Sequence, residues 1–363
     1  MTGAPMNAHV TIVGAGAIGG TVGAYLSRSG VPVTLVDTAV GHVDAIRENG
    51  LRIDAYNENF SVDVEAVTPE RLTGPLGTVF LAVKAQATEE AIRQLQPLLA
   101  EDSAVVSMQN GLCERTIAAA LGPERTVGCL VNFSADYISP GVITYGGPGT
   151  IRLGELDGAL SERLRHLQTI LSPLGDVEVT DNVWGYLWAK LGYANMLFAS
   201  ALTDDTMAEV IDTHRELLVD LASEVYEVAA RESVSPVAFD DVEPSLYVPR
   251  ESRDWSLINA SLDRLVARRR ADAKSRSGIW RDLAVRHRRT EVDQQIGAVA
   301  RIGAEHGMPM SLTRTVVTMI HDIEDGKRQR TIANLEELER VRRDTSSETS
   351  HPDSSRHVGA SPS

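Results

Sequence analysis

Cysteine and long apolar runs are both scarce in this sequence. Cys113 and Cys129 are its only cysteines, too few for a disulfide framework, so we expect buried free thiols in a reducing compartment. No run approaches the roughly eighteen apolar residues of a membrane span, and the N-terminus lacks the charged and apolar regions of a signal peptide. These absences predict a cytoplasmic protein without a membrane partner.

Basic charge is also in short supply. The chain carries 35 Lys and Arg against 50 Asp and Glu, a net charge of −15. This excess of negative charge disfavours nucleic acid or an anionic membrane as the main partner, and the arginines at 268–270 and 286–289 are more typical of solvated helix faces. An anionic small molecule would therefore have to be bound by a local group of cations.

The pattern of the chain changes near residue 180. Before it, short β-branched runs alternate with helical patterns, which is typical of a parallel sheet covered by helices. After it, strand-like alternation disappears and long helical patterns follow, at 183–202, 207–232, 290–306 and 309–342. We predict an α/β fold with an N-terminal extension (1–8), a Rossmann-type domain (9–180), an all-helical C-terminal domain (181–342) and a disordered tail (343–363).

The segment VTIVGAGAIGG at residues 10–20 is typical of a dinucleotide-binding turn. An apolar run meets three glycines at the G-x-G-x-x-G spacing, and a helix-favouring stretch follows. The first glycine permits a tight turn, the second lets a pyrophosphate approach, and the third lets the helix pack on the strand. A purely structural βα turn is the alternative. The predicted cofactor contacts are Gly14, Ala15, Gly16, Ala17, Ile18 and Gly19.

Asp37 ends the second apolar run, eighteen residues beyond the last glycine of the turn. A carboxylate there can accept hydrogen bonds from the adenosine ribose and would repel a 2′-phosphate, which usually requires an arginine. Thr38 and Ala39 supply none, so we predict NAD(P)H as the cofactor, with NADH favoured. Arg47 could still fold back towards a phosphate, and Asp37 could instead cap the following helix.

Two polar side chains follow later strands of the predicted sheet. Lys84 comes directly after the strand TVFLAV, and Asn110, in the motif SMQNG, follows the strand SAVVS. Ligands bind outside the carboxyl ends of such strands, so both residues are candidates for the nicotinamide side of the crevice. The alternatives are a lysine that covers apolar surface and an ordinary Asn-Gly turn.

Two charged residues border the apolar stripes of predicted helices. Lys190 is one step around from the stripe of helix 183–202. Reduction of a ketone needs a proton at the oxygen, and a partly desolvated lysine, whose pKa falls on burial, can supply it near neutral pH. Glu291 begins helix 290–306. The alternatives are a surface lysine that covers apolar neighbours and an acid that the helix dipole favours.

The sequence resembles the ketopantoate reductase (2-dehydropantoate 2-reductase) family over roughly residues 9–325. The resemblance rests on five motifs in order: GAGAIGG at 14–20, Lys84 after TVFLAV, QNG at 109–111, WAKL at 188–191 and RRTEVD at 288–293. It implies a Rossmann domain, a helical domain, and reduction of 2-dehydropantoate to pantoate in the cleft between them.

The same resemblance implies roles for the candidate residues. Lys190 would be the general acid, Glu291 would hold the substrate hydroxyl, and Asn110 and Lys84 would line the cofactor and keto-acid side. Ser277 matches the family's substrate-binding serine, with Ser275 as the alternative.

Two positions depart from the family pattern. The family places asparagines four and eight residues after the lysine, where this chain has Ala194 and Phe198. Asn195 lies about 100° around the helix and replaces them as a substrate-binding residue only if the helix is rotated or bulged. Asp37 is the second departure, because most members prefer NADPH and carry a basic residue in that region. Both suggest a paralogue with a changed pocket.

Three hypotheses follow. The first is an NAD(P)H-dependent reductase of a small-molecule 2-oxo acid, with 2-dehydropantoate the leading candidate. The second keeps the chemistry but changes the substrate to another branched or aromatic 2-oxo acid, which Phe198 would permit. The third is a non-enzymatic nucleotide-sensing protein, which the presence of Lys190 and Glu291 disfavours. We expect no metal site. The sequence is compatible with a homodimer and does not fix the oligomeric state.

Overall fold

A computed structural model describes residues 9–271 and 274–349 of the protein. The chain divides into two units, one made of residues 1–191 and 233–245 and the other of residues 192–232 and 246–363. This division falls inside a long helix, whereas the predicted boundary at residue 180 precedes that helix. The predicted N-terminal extension and most of the predicted tail lie outside the described residues.

The first unit contains two β-sheets. Their strands are β1 (Val10–Val13), β2 (Val33–Val36), β3 (Leu51–Ala55), β4 (Asn59–Val62), β5 (Glu65–Val67), β6 (Leu76–Leu81), β7 (Leu99–Ser107), β8 (Thr126–Asn132), β9 (Ala135–Ser139), β10 (Val142–Tyr145), β11 (Thr150–Glu155) and β12 (Val177–Val179). The larger sheet has the order β12-β11-β8-β7-β6-β1-β2-β5 and is parallel except between β8 and β11. The smaller sheet has the order β4-β3-β10-β9.

Helices cover both faces of the larger sheet, as the alternating pattern predicts. They are α1 (Ala17–Arg28), α2 (Val40–Asn49), α3 (Thr88–Leu95), α4 (Cys113–Leu121) and α5 (Glu162–Leu171). Alternate residues of β1 point to opposite faces: Val10 and Ile12 pack in a cluster with residues of α1 and α5, and Val13 packs with residues of α3 and α4. Because both faces are covered, β1 and β2 are apolar and buried throughout.

A turn at Pro140 and Gly141 joins β9 and β10, which pair antiparallel. This hairpin belongs to the smaller sheet, where β10 also pairs parallel with β3. Helix α1 contacts both β2 and β10. The smaller sheet therefore lies against the helix that follows the glycine-rich turn.

Helix α6 (Val183–Ser200) carries the division between the units, at residues 191 and 192. Burial extends beyond the predicted apolar stripe, because every residue of the helix is buried or half-buried. Lys190 is half-buried. Both cysteines are buried free thiols, as expected.

The second unit is helical. Beyond α6 its helices are α7 (Met207–Thr213), α8 (Arg215–Arg231), α9 (Trp255–Ala271), α10 (Gly278–Ala284), α11 (Ile296–Glu305), α12 (Ser311–Glu324) and α13 (Ala333–Thr349). Helix α8 contacts α7, α11, α12 and α13 and is buried along most of its length. None of the helices in the described ranges is long and apolar enough to cross a bilayer.

Three predicted helices differ from those in the structure. The pattern at 207–232 is two helices. His214 has a non-helical backbone conformation between them, although the apolar period continues through it. The pattern at 309–342 is also two helices, since Gly326 adopts φ +71° after α12. The helix predicted from residue 290 begins at Ile296. Helix α13 extends to Thr349, into the segment that we expected to be disordered.

Candidate active site

The glycine-rich turn joins β1 to α1. Gly14 has φ +97°, and a Cβ there would lie 2.7 Å from the carbonyl carbon of Ala82. A Cβ at Gly19 would lie 2.0 Å from the Gly14 carbonyl oxygen. Both positions therefore require glycine, one for backbone conformation and one for the close approach of helix and turn.

Gly16 is different, because a Cβ there would meet nothing within 4 Å. It precedes α1 as the N-cap residue and supplies no side chain to satisfy the first N–H groups of the helix. Open space beside these N–H groups suits an anion. The open space at Gly16 fits the pyrophosphate of a dinucleotide bound by the turn from Gly14 to Gly19.

Asp37 connects the end of β2 to this turn. Its Oδ2 accepts a hydrogen bond from the Ala15 N–H at 2.9 Å, and its Oδ1 accepts one from the Ala39 N–H at 2.9 Å. Helix α2 has Ala39 as its N-cap and no side-chain cap. The interpretation of Asp37 as a helix cap is therefore wrong, and the carboxylate lies beside the predicted dinucleotide turn instead.

His42 and Tyr137 also lie beside the turn, although neither is among the residues predicted from the sequence. The Gly141 N–H donates to His42 Nδ1 at 2.9 Å, so the proton is on Nε2, which donates to the Ala15 carbonyl at 2.8 Å. The Tyr137 ring packs edge-on against His42 with centroids 5.0 Å apart. Burial raises the pKa of Tyr137, and the negative charge of Asp37 adds to this effect. No motif marks either residue.

Lys190 and Asn110 meet in the first unit. Lys190 Nζ donates to Asn110 Oδ1 at 2.7 Å and to the Val131 carbonyl of β8 at 2.7 Å. Both side chains are half-buried. These two acceptors fix the direction of the ammonium group. The structure therefore joins two of the candidate residues that the sequence places 80 residues apart.

Gln109 anchors the loop that carries Asn110. Its Nε2 donates to the Val83 carbonyl at 2.9 Å and to Thr88 Oγ1 at 2.8 Å. Lys84 follows Val83 directly and is exposed. The loop after β7 is thus tied to the loop after β6, which places Asn110 and Lys84 on neighbouring loops at the carboxyl edge of the sheet.

The remaining candidates belong to the second unit. Ser277 is the N-cap of α10, and its Oγ accepts from the Trp280 N–H at 3.1 Å. Glu291 is 6% exposed and lies in a turn before α11, not at the start of a helix as expected. The helix begins later because Gln295 has a non-helical backbone conformation. In addition, the Glu324 carboxylate accepts hydrogen bonds from the N–H and the hydroxyl of Thr290.

Asn195 is completely buried in this unit. Its Nδ2 donates to the Leu221 carbonyl and to Thr313 Oγ1, both at 2.8 Å. Its amide N–H groups are therefore committed inside the unit, and only Oδ1 remains for a further contact. Ala194 and Phe198 are buried apolar residues.

Comparisons with known proteins agree with this geometry. Residues 10–158 match the sequence model of "Ketopantoate reductase PanE/ApbA", and residues 182–324 match that of its C-terminal part. A 2-dehydropantoate 2-reductase of Mesorhizobium japonicum is 32% identical over 226 residues, which cover 56% of this chain and 69% of the relative. The chain belongs to the ketopantoate reductase family. Members of this family are oxidoreductases that use a nicotinamide dinucleotide and act on a CH–OH group.

Solved structures share the fold. The ketopantoate reductase of Ralstonia eutropha JMP134 superposes with a TM-score of 0.74 at 27% identity, covering 88% of this chain and 99% of that one. A D-mandelate dehydrogenase solved with NADH has a TM-score of 0.76 at 23% identity, with coverage of 88% and 99%. The second similarity shows the fold alone. The ketopantoate reductase fold therefore hosts more than one named activity.

Proposed function

We propose that this ketopantoate reductase homologue reduces a 2-oxo acid to the 2-hydroxy acid, with 2-dehydropantoate as the first candidate substrate. One observation carries the proposal. A half-buried ammonium group, Lys190, is held in a fixed direction by Asn110 and the Val131 carbonyl at the carboxyl edge of a dinucleotide-binding sheet. This is the placement expected for a group that donates a proton to a ketone oxygen.

A reduced nicotinamide, when bound, supplies the hydride that the carbonyl carbon accepts. Lys190 contributes the other half of the reduction: its ammonium donates a hydrogen bond to the carbonyl oxygen, stabilises the negative charge that develops there, and then transfers its proton to that oxygen. The lysine recovers a proton from solvent. Asn110 keeps the ammonium directed throughout, because its Oδ1 accepts one of the lysine N–H groups.

We propose NADH as the preferred cofactor. Asp37 lies beside the turn with one oxygen already on the Ala15 N–H. Its negative charge would repel a 2′-phosphate, and its carboxylate oxygens would accept hydrogen bonds from the ribose hydroxyls. The residues that follow it, Thr38, Ala39 and Val40, provide no cation.

In the second unit we assign substrate binding to Glu291 and Ser277. Glu291 is the buried carboxylate that would accept from a substrate hydroxyl. The Ser277 hydroxyl oxygen accepts a hydrogen bond from the backbone N–H of Trp280, so its own O–H can donate to a substrate. Asn195 would contribute only through Oδ1, so its part in substrate binding is the smallest.

A second candidate substrate class rests on Ala194 and Phe198. Both are buried and apolar at the positions where the family has amides. A site without such partners discriminates weakly between substrates that differ by a hydroxyl. Reduction of 2-oxo acids with plain aliphatic or aromatic side chains is therefore a specific alternative.

The test follows the oxidation of NADH and NADPH over a panel of 2-oxo acids. We expect 2-dehydropantoate and unsubstituted aliphatic 2-oxo acids to react with kcat/KM within about a hundredfold of each other. The double substitution Ala194→Asn and Phe198→Asn should widen that gap in favour of the hydroxylated acid. A preference of several thousandfold in the wild type would contradict the permissive pocket, and dinucleotide binding without any turnover would favour a nucleotide-sensing protein.

A further inference from the structure

Glu114 is a fully buried carboxyl group that the reaction above does not use. It lies in the first turn of α4, four residues after Asn110, and is 0% exposed. Within residues 9–271 and 274–349, neither of its oxygens has a partner at normal hydrogen-bond geometry. Glu155, another buried carboxylate of this unit, is instead paired with Arg163. A buried carboxylate that lacks such bonds needs a nearby cation to stay ionised.

The elements around Glu114 are those that hold Lys190. Lys190 donates to Asn110, in the loop that leads into α4, and to Val131 of β8. The Arg115 guanidinium, on the residue after Glu114, lies 5.7 Å from the Trp184 ring centroid and 5.9 Å from that of Trp188. Both tryptophans belong to α6, as does Lys190. The Arg115 side chain of the first turn of α4 therefore lies over the segment of α6 that carries the lysine.

The electrostatics connect the same groups. Burial raises the pKa of Glu114 to about 7. Its own backbone N–H and the Ser107 hydroxyl of β7, which lie near the carboxyl without reaching normal hydrogen-bond geometry, and the positive charge of Lys190 lower it. Burial also raises the pKa of the Cys129 thiol of β8, which Glu114 raises further and Lys190 lowers. The thiol is thus neutral, and Arg115 is turned towards the indole rings. Lys190 and Glu114 remain as a half-buried cation and a buried carboxylate that act on one another.

We propose that Glu114 is a positioning residue that acts through Lys190: its carboxylate keeps the lysine ammonium protonated in the alkaline part of the working range. Burial by itself favours the neutral amine, and Asn110 and the Val131 carbonyl are acceptors that carry no charge. The buried negative charge of Glu114 favours the ammonium form further. The inference rests on the proposed role of Lys190 as proton donor.

The pH determines whether Glu114 acts on the lysine. Above about pH 7 the Glu114 carboxyl is ionised and favours the charged lysine; below that pH it is neutral, and the lysine is protonated in any case. In Glu114→Gln we expect kcat to equal that of the wild type near about pH 6. The alkaline limb of the pH profile, where kcat falls as Lys190 loses its proton, should move to a lower pH by about one unit. At pH values above this limb, kcat should therefore be about tenfold lower than in the wild type. An unmoved limb would overturn the proposal.

Glu155→Gln is the matched control. It also removes a buried carboxylate from the first unit, but Arg163 is the cation that loses its partner. We expect lower stability and no change in the alkaline limb. An equal shift in both variants would show a general effect of stability and would contradict the specific coupling.

A spectroscopic measurement covers the case in which Glu114→Gln does not fold. The C=O stretch of a protonated buried carboxyl should appear in the wild type as the pH falls through about 7. Lys190→Ala removes the cation that favours the ionised form, so the midpoint of this band should rise. An unchanged midpoint would overturn the coupling. Loss of activity in Lys190→Ala with an unmoved limb in Glu114→Gln would contradict this inference alone, whereas retained activity in Lys190→Ala would contradict the proposed function.

Discussion

At the scale of single residues, the motifs identified the candidates but not their contacts. Lys190 and Asn110 could be predicted separately, since each belongs to a short motif in a recognisable place. Their hydrogen bond depends on how α6 packs against β8 and the loop before α4, which no local pattern encodes. His42, Tyr137 and Glu114 carry no sequence signal at all, because their importance comes from burial and from neighbours far along the chain.

Asp37 offers a direct test of cofactor choice at this scale. The double variant Asp37→Ser and Thr38→Arg removes the repelling carboxylate and adds a cation for a 2′-phosphate. A hydrogen bond to a charged group contributes about 1.5–3 kcal/mol, so the ratio of kcat/KM for NADPH over NADH should rise by roughly ten- to a hundredfold. Steady-state rates with both cofactors measure this ratio.

The control for this variant is Asp44→Ser, which removes an exposed carboxylate from α2. It should leave the ratio unchanged. A wild-type enzyme that already has the higher kcat/KM with NADPH would contradict the role assigned to Asp37.

At the scale of elements, strands could be predicted better than helix ends. The parallel strands are buried on both faces and appear as apolar runs. In contrast, the one-residue break at His214 leaves the helical period of 207–232 undisturbed, so the sequence does not indicate it. The turn at Asp325 and Gly326 likewise interrupts a helical pattern that continues on both sides of it. Glu291 was placed at a helix start for the same reason, since the contacts of Glu324 with Thr290 act over 34 residues.

Two glycine substitutions in the turn between β1 and α1 allow folding and binding to be separated. Gly19→Ala should destabilise the protein by about 1–3 kcal/mol, because its Cβ would lie 2.0 Å from the Gly14 carbonyl oxygen. Gly16→Ala should fold with nearly normal stability, since its Cβ meets nothing within 4 Å, yet bind NADH much more weakly because the methyl group takes space assigned to the pyrophosphate. Denaturant unfolding and NADH fluorescence titration measure the two effects.

Gly41→Ala is the reference for both changes. Gly41 lies in α2, and a Cβ there also meets nothing within 4 Å. The substitution should stabilise the helix by up to about 1 kcal/mol and leave NADH binding unaltered. If Gly16→Ala bound NADH as tightly as Gly41→Ala, the turn would not be the pyrophosphate site.

At the scale of the whole molecule, the fold class could be predicted because the change from alternating strands and helices to helices alone is large. The exact division could not, since α6 is a single unbroken helix whose residues are assigned to both units. All predicted cofactor residues and Lys190 belong to the first unit, and Asn195, Ser277 and Glu291 belong to the second. The cytoplasmic location and the homodimer stay predictions.

The proposed reduction needs Lys190 as its proton donor, and the kcat of Lys190→Ala tests this role. Deuterated NADH should first establish, through its isotope effect, that the chemical step limits the rate. Removing a general acid typically lowers the rate by about 10²- to 10⁴-fold, and we expect that loss in kcat with NADH binding retained. A variant that keeps more than about a tenth of the wild-type kcat under these conditions would show that Lys190 is not the proton donor.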